Sequence, residues 1–155
     1  MNPEFVNKNS FYVIGIEVRT NNRDEMIGHG KIGLHWQKFY SEDVLSKIPG
    51  KRGDAVLALY TDYASDVNGD YSHIIRTEVE SIANIPEGMV GREILAAKYA
   101  VFSSARGAIP GIIIDVWKQI WEINASRAYK TDFEIYGKES ADPQNAQVDV
   151  YVSVR

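Results

Sequence analysis

The residues of this 155-residue chain with the most chemical potential are carboxylates and phenols at two-residue spacing. In Thr131 to Tyr136 (TDFEIY), strand alternation puts Asp132, Glu134 and Tyr136 on one face and Phe133 and Ile135 on the other. The apolar pair is expected to face the helices. In Ala55 to Asp62 (AVLALYTD) the same rule sends Ala58 and Tyr60 together. An acid among phenols and small groups differs from the Lys, Glu and Thr mixture of a solvated sheet. If this face floors a cleft, Glu134 loses hydration, at a cost of several kcal/mol unless a cation or hydrogen-bond donors compensate. A cationic ligand would do so. Tyr60, Tyr63, Tyr136 and the tryptophans would add π-faces, each worth about 0.5 to 2 kcal/mol toward a cation. Selection would then follow charge and flat shape. The plain alternative is a sheet carboxylate that faces water.

Other candidate motifs fall short of their chemistry. Gly28-His29-Gly30-Lys31-Ile32-Gly33 has the letters of a dinucleotide fingerprint, but a polar segment stands where a strand must lead into it. Its glycines instead weaken the first turns of a helix, each by about 1 kcal/mol relative to alanine, which would leave one cleft wall adaptable. Asp66-Val67-Asn68-Gly69-Asp70 has glycine at the wrong offset for a calcium loop and no closing glutamate, so it reads as a turn. His29, His35 and His73 lack the spacing of a zinc site. Ser103-Ser104 lacks the glycines of a nucleophile elbow. Glu78 and Glu80 share a strand face that reads as solvated or paired with Arg76. No metal, cofactor or catalytic residue is assigned.

Positioning the Glu134 face requires strands and helices that the periodicity supplies. Strands are predicted at Ser10 to Arg19, Ala55 to Asp62, His73 to Ser81, Lys98 to Ser104, Thr131 to Tyr136 and Val148 to Val154. Helices are predicted at 24–40, with Asp24 and Glu25 in its first turn, and at 112–125, where Ile113, Val116, Trp117, Ile120 and Trp121 form an apolar stripe. The order strand, helix, strand, strand occurs twice, over about 10–83 and 97–154. Each helix carries tryptophan, and Leu57-Ala58-Leu59-Tyr60 aligns with Phe133-Glu134-Ile135-Tyr136. The expected fold is therefore α+β: a duplicated β-α-β-β unit in a single domain spanning 1–155, with a six-stranded, antiparallel-rich curved sheet, two main helices and a central ligand cleft.

Composition narrows the function. Seventeen basic against 21 acidic residues, net charge −4, give no cationic surplus for a nucleic-acid backbone. The absence of cysteine excludes disulfides, thiolate metal sites and a cysteine nucleophile. No stretch approaches the roughly 20 apolar residues of a membrane helix, and the first residues lack a signal peptide's pattern, so a cytoplasmic location is expected.

Four segments, Leu34-His35-Trp36-Gln37-Lys38-Phe39, Leu59-Tyr60-Thr61-Asp62-Tyr63, Val116-Trp117-Lys118-Gln119-Ile120-Trp121 and Asp132-Phe133-Glu134-Ile135-Tyr136, resemble in order the GyrI-like effector-binding domain. That ligand-sensing domain also ends AraC- and MerR-type regulators, and the likeness is greatest to stand-alone drug-binding forms encoded on integron gene cassettes. The resemblance implies a central cleft binding cationic or amphipathic aromatic compounds around an acid. Glu134 matches that acid, and Tyr60, Tyr63 and Tyr136 match its aromatic surroundings. Trp36 and Trp117 are placed beside them as lining or core, with Ala58 as a small neighbour. No helix-turn-helix precedes the first expected strand, so direct transcriptional output is not expected.

The leading expectation is a non-enzymatic binding protein, sensing or sequestering such compounds, without direct contact to nucleic acid or membrane. A second class is a GyrI-like hydrolase of small electrophiles, with Glu134 as base and a tyrosine as proton donor. A third is a protein-binding module acting on a regulator, polymerase or topoisomerase.

Overall fold

Among the described residues, eight strands pair into one antiparallel sheet: β1 (Glu4–Lys8), β2 (Phe11–Asn21), β3 (Val56–Thr61), β4 (Asp70–Val79), β5 (Val90–Ile94), β6 (Ala97–Ser103), β7 (Thr131–Tyr136) and β8 (Asp149–Ser153). The computed structural model describes residues 3–28, 30–66, 68–123 and 126–155. His29 of the glycine-rich segment, Val67 of the Asp66 turn and the end of the expected 112–125 helix lie outside them. The sheet order is β1-β6-β8-β7-β3-β4-β2-β5, with every pair antiparallel.

The count of eight corrects the six expected. The additional strands, β1 and β5, are the two edges, and their sequences EFVNK and VGREI carry charges and a glycine in place of apolar alternation. Edge strands avoid sticking to other chains by this composition, which also removes the periodic signal. Outward from the central β3–β7 pair, the order runs β3, β4, β2, β5 in one direction and β7, β8, β6, β1 in the other. Each edge strand pairs across the halves: β1 precedes β2 but bonds β6, while β5 precedes β6 but bonds β2.

The described residues include four α-helices: α1 (Asn22–Met26), α2 (Ile32–Ser41), α3 (Val44–Lys47) and α4 (Gly111–Glu122). The single helix expected over 24–40 is thus two. Gly28 adopts φ +82, a left-handed conformation that stops α1. Glu25 then caps α2, accepting from the Lys31 and Ile32 amides at 2.8 and 3.3 Å and from the Thr20 hydroxyl at 2.6 Å. Gly30 makes room for this cap, since a Cβ there would fall 2.1 Å from Glu25 Oε1. In α4, Ile112, Val116, Trp117 and Ile120 supply the buried stripe.

The helices cover one face of the sheet. There, Phe39 and Val44 pack on Ile14, Ile16, Ile75 and Val79, while Val116, Trp117 and Ile120 pack on Ala100, Phe102, Val150 and Val152. Burying a side chain of this size contributes about 1.5 to 3 kcal/mol. The other face curls on itself, gathering Val13, Leu57, Leu59, Ile74, Tyr99 and Phe133. The expected orientation of β7 is therefore reversed. Phe133 belongs to the helix-free face, and Glu134 points toward the helices. The strand alternation holds, but a curled sheet has an apolar interior on both faces, so an apolar side chain does not identify the helix side.

Candidate functional site

Between the helices and the sheet lies a cavity of about 970 Å3. Its floor is formed by β3 and β7, whose central register sets Ala58 opposite Glu134. Its walls include Trp36 and Tyr40 of α2, Ile113, Trp117 and Trp121 of α4, and Glu25 and Met26 of α1.

Glu134 is 1% exposed, and three side chains converge on it. Its Oε2 accepts from the Tyr60 hydroxyl at 2.8 Å and the Trp117 indole N–H at 2.5 Å, and its Oε1 accepts from the Tyr136 hydroxyl at 2.6 Å. Burial raises the Glu134 pKa, while the three donors favour the carboxylate and oppose that rise. The Tyr60 and Tyr136 phenols are pushed well above their ordinary pKa by burial, then by the neighbouring carboxylate, so both remain donors. Their rings interlock with the helices: Trp36 meets Tyr136 edge-on at 5.0 Å, and Tyr60 meets Trp117 at 5.2 Å. The result is a carboxylate set in an aromatic frame, with one tryptophan from each long helix.

The other predicted residues take different places. Tyr63 lines the cavity but bonds Asp132, not Glu134, at 2.5 Å. Ala58 is fully buried beside Glu134 and does not line the cavity. Trp36 and Trp117 both line it. Tyr71, not among the residues expected from sequence, also lines it, packs on Tyr60 at 5.4 Å and donates to Asn22 at 3.0 Å. The cavity-facing aromatic at position 71 sits two residues before His73 on the same strand face, and that alternation was its only available signal.

Asp132 forms a second buried polar centre. It is fully buried and accepts from Tyr63, from Arg127 at 2.8 Å and from the Ser153 amide and hydroxyl at 2.7 and 3.1 Å. Arg127 stacks over Tyr129 at 4.4 Å and reaches the cavity, where Asp132 balances its charge.

Beneath Tyr60, His35 of α2 and His73 of β4 face each other with Nδ1 atoms 3.0 Å apart. One Nδ1 donates to the other, so the accepting ring is neutral. Burial, with Lys38 nearby, lowers His35 to about 4, and burial, with His35 and Arg76, lowers His73 well below 6.5. Between pH 6.5 and about 4 the unfolded chain therefore binds more protons than the folded one, and stability falls as pH falls. Both histidines act in this sense. Wild-type protein is expected to melt progressively lower from pH 6.5 to pH 4, and His35→Gln should flatten this slope. An unchanged slope in the variant would remove the pair as its cause.

The family model described as integron-associated effector binding protein, Cass2, matches residues 4–154. YobU of Bacillus subtilis (strain 168), named as a candidate transcriptional regulator, is 32% identical over 144 residues, covering 91% of this chain and 90% of its own. The Pseudomonas aeruginosa transcriptional regulator BrlR is 29% identical over 160 aligned positions, covering 99% of this chain but 56% of the regulator. Among solved structures, the Vibrio cholerae integron cassette protein VCH_CASS2 matches with TM-score 0.81 and 34% identity, over 99% of this chain and 96% of that one. SAV2435, solved with tetraphenylphosphonium bound, shares the fold at TM-score 0.81 and 20% identity, over 100% and 94%. Because the family match runs through every strand of the sheet that floors the cavity, the chain belongs to the integron-associated effector-binding family, Cass2, whose members bind small molecules.

Proposed function

We propose that the chain binds cationic or amphipathic aromatic compounds in the cavity above Glu134 and serves to sense or sequester them in the cytoplasm. The observation that carries this reading is the buried Glu134 carboxylate, framed by Tyr60, Tyr136 and Trp117 and turned toward a large, mostly aromatic and aliphatic cavity. A buried carboxylate attracts a desolvated cation, and the surrounding rings add a weakly directional attraction of about 0.5 to 2 kcal/mol each. Tetraphenylphosphonium in SAV2435 is a ligand of this chemistry on the same fold. The symmetric strand order supports reading the two halves as copies of one β-α-β-β unit, with the cleft where they meet.

The hydrolase reading has less support from the same geometry. Three of the lone-pair positions on Glu134 are already engaged, and the raised pKa of both phenols makes them weak acids. Tryptophan fluorescence separates ligand classes, since Trp36, Trp117 and Trp121 all border the cavity. Titration with size-matched cationic, neutral and anionic aromatic dyes should give affinity in that order. Indifference to charge would defeat the proposal.

A further inference from the structure

The helix-free face of the sheet holds a cation that nothing in the cavity explains. Arg76 of β4 is 0% exposed, and its Nε, Nη1 and Nη2 have no hydrogen-bond partner among the described residues. The hydroxyl of Tyr99 on β6, 1% exposed, is likewise unpartnered. Both groups pack on the same ring: the guanidinium lies 5.8 Å from the Phe133 centroid, and the Tyr99 ring meets Phe133 edge-on at 5.2 Å. Burial lowers the Arg76 pKa to about 9, which leaves it charged at neutral pH.

The fold is built to accommodate this arginine. Gly15 of β2 stands opposite Arg76, and a Cβ on Gly15 would come within 2.5 Å of the Arg76 Cβ. Glu78, two residues along β4, acts favourably on the Arg76 charge without bonding it and pairs with Arg52 at 3.7 Å, and Glu17, two residues past Gly15 on β2, pairs with Arg92 at 2.8 Å. Lys8, also on this face, rests over Phe11, Phe133 and Tyr151 at 5.4, 5.7 and 5.5 Å. Every orphaned group here is a donor or, for the phenol, able to donate. A buried guanidinium with no hydrogen-bond acceptor and no carboxylate in contact is among the least favourable arrangements in a protein interior.

We infer that Arg76 and the Tyr99 hydroxyl form an interior binding site for a small monovalent inorganic anion of about chloride size, on the face of the sheet opposite the ligand cavity. Such an anion accepts from several donors at once and neutralises the charge. A water molecule would bring two hydrogens that also need acceptors and would leave the charge uncompensated. The anion would join β4 to β6 through the interior, fixing the curl of the sheet. The cavity reading does not depend on this site, and either can fail without the other.

The test uses protein refolded in bromide and crystallised for anomalous diffraction. A bromide peak within hydrogen-bonding distance of both Arg76 and the Tyr99 hydroxyl is expected; ordered water in that position, with bromide only at the surface, would overturn the site. In solution, replacing chloride by gluconate at constant ionic strength should lower the wild-type melting temperature, with a saturating dependence on chloride. Arg76→Met should abolish that dependence and Tyr99→Phe should weaken it. Identical wild-type melting in both salts would also overturn the proposal. Because the decisive comparison is between salts in wild-type protein, it stands even if a variant does not fold.

Discussion

Glu134→Gln is expected to weaken cationic aromatic dyes more than tenfold, about 1.4 kcal/mol, while sparing neutral dyes of the same size. The substitution is well suited to isolate charge. With its oxygen in the place of Oε2, glutamine still accepts from Tyr60 and Trp117, and the Tyr136 hydroxyl can rotate to accept from the new amide. The fold should tolerate this. The raised folded pKa of Glu134 means that its ionisation opposes folding: stability linked to this group is fullest below 4.5 and declines as pH rises through the folded value. Removing the charge is therefore expected to leave melting at pH 7 unchanged or slightly higher. Wild-type affinity for the cation should fall as acid protonates Glu134, and the variant should lack that dependence. Equal loss of cationic and neutral dyes would point to a reshaped cavity and against a role for the charge.

Asp132→Ala should produce the largest stability loss, about 3 to 5 kcal/mol, because it leaves Arg127 buried without its counter-ion. The loss extends beyond the ion pair. Asp132 also receives the Ser153 amide from β8 and the Tyr63 hydroxyl from the segment after β3, so one carboxylate ties together three parts of the chain. Chemical denaturation should show a lower midpoint with an unchanged slope. The double variant Asp132→Ala/Arg127→Met should recover part of the loss, since it removes the stranded charge. Failure of the double variant to recover stability would assign the loss to the hydrogen bonds of Ser153 and Tyr63.

The contrast between these carboxylates shows how far sequence reasoning reaches. Both were placed on one strand face by alternation, and both are buried there. Glu134 stood out because Tyr136 and, in the aligned segment, Tyr60 share its pattern. Nothing comparable marked Asp132: Arg127 precedes it in an irregular segment, where no period predicts direction, and Tyr63 was grouped with Glu134 because phenols near an acid look interchangeable in sequence. His35 and His73 meet only because α2 docks on β4, a contact between residues 38 apart that spacing cannot encode. Trp117 and Trp121 are legible as part of an amphipathic stripe, yet only packing reveals that one stripe can serve both core and cavity. Edges of the sheet were missed for a different reason: their polar composition protects the chain by withholding the very alternation by which strands are recognised.

Those exchanged edges also bear on how the molecule is made. On the ribosome β1 emerges well before β6, so Lys8 must wait for Ala97, and Glu4 for Val101, before the strand has a mate. Neither half can complete its rim from its own residues, because β5 is likewise promised to β2. Final closure is thus postponed until both halves have been synthesised, and the charged β1 spends that interval as an unpaired, solvated segment with little appetite for neighbouring polypeptides. A cut in the turn between β4 and β5 would give fragments that are each missing a border and each carrying the other's. Such pieces are natural candidates for reassembly by complementation, with the cavity restored only when both are present.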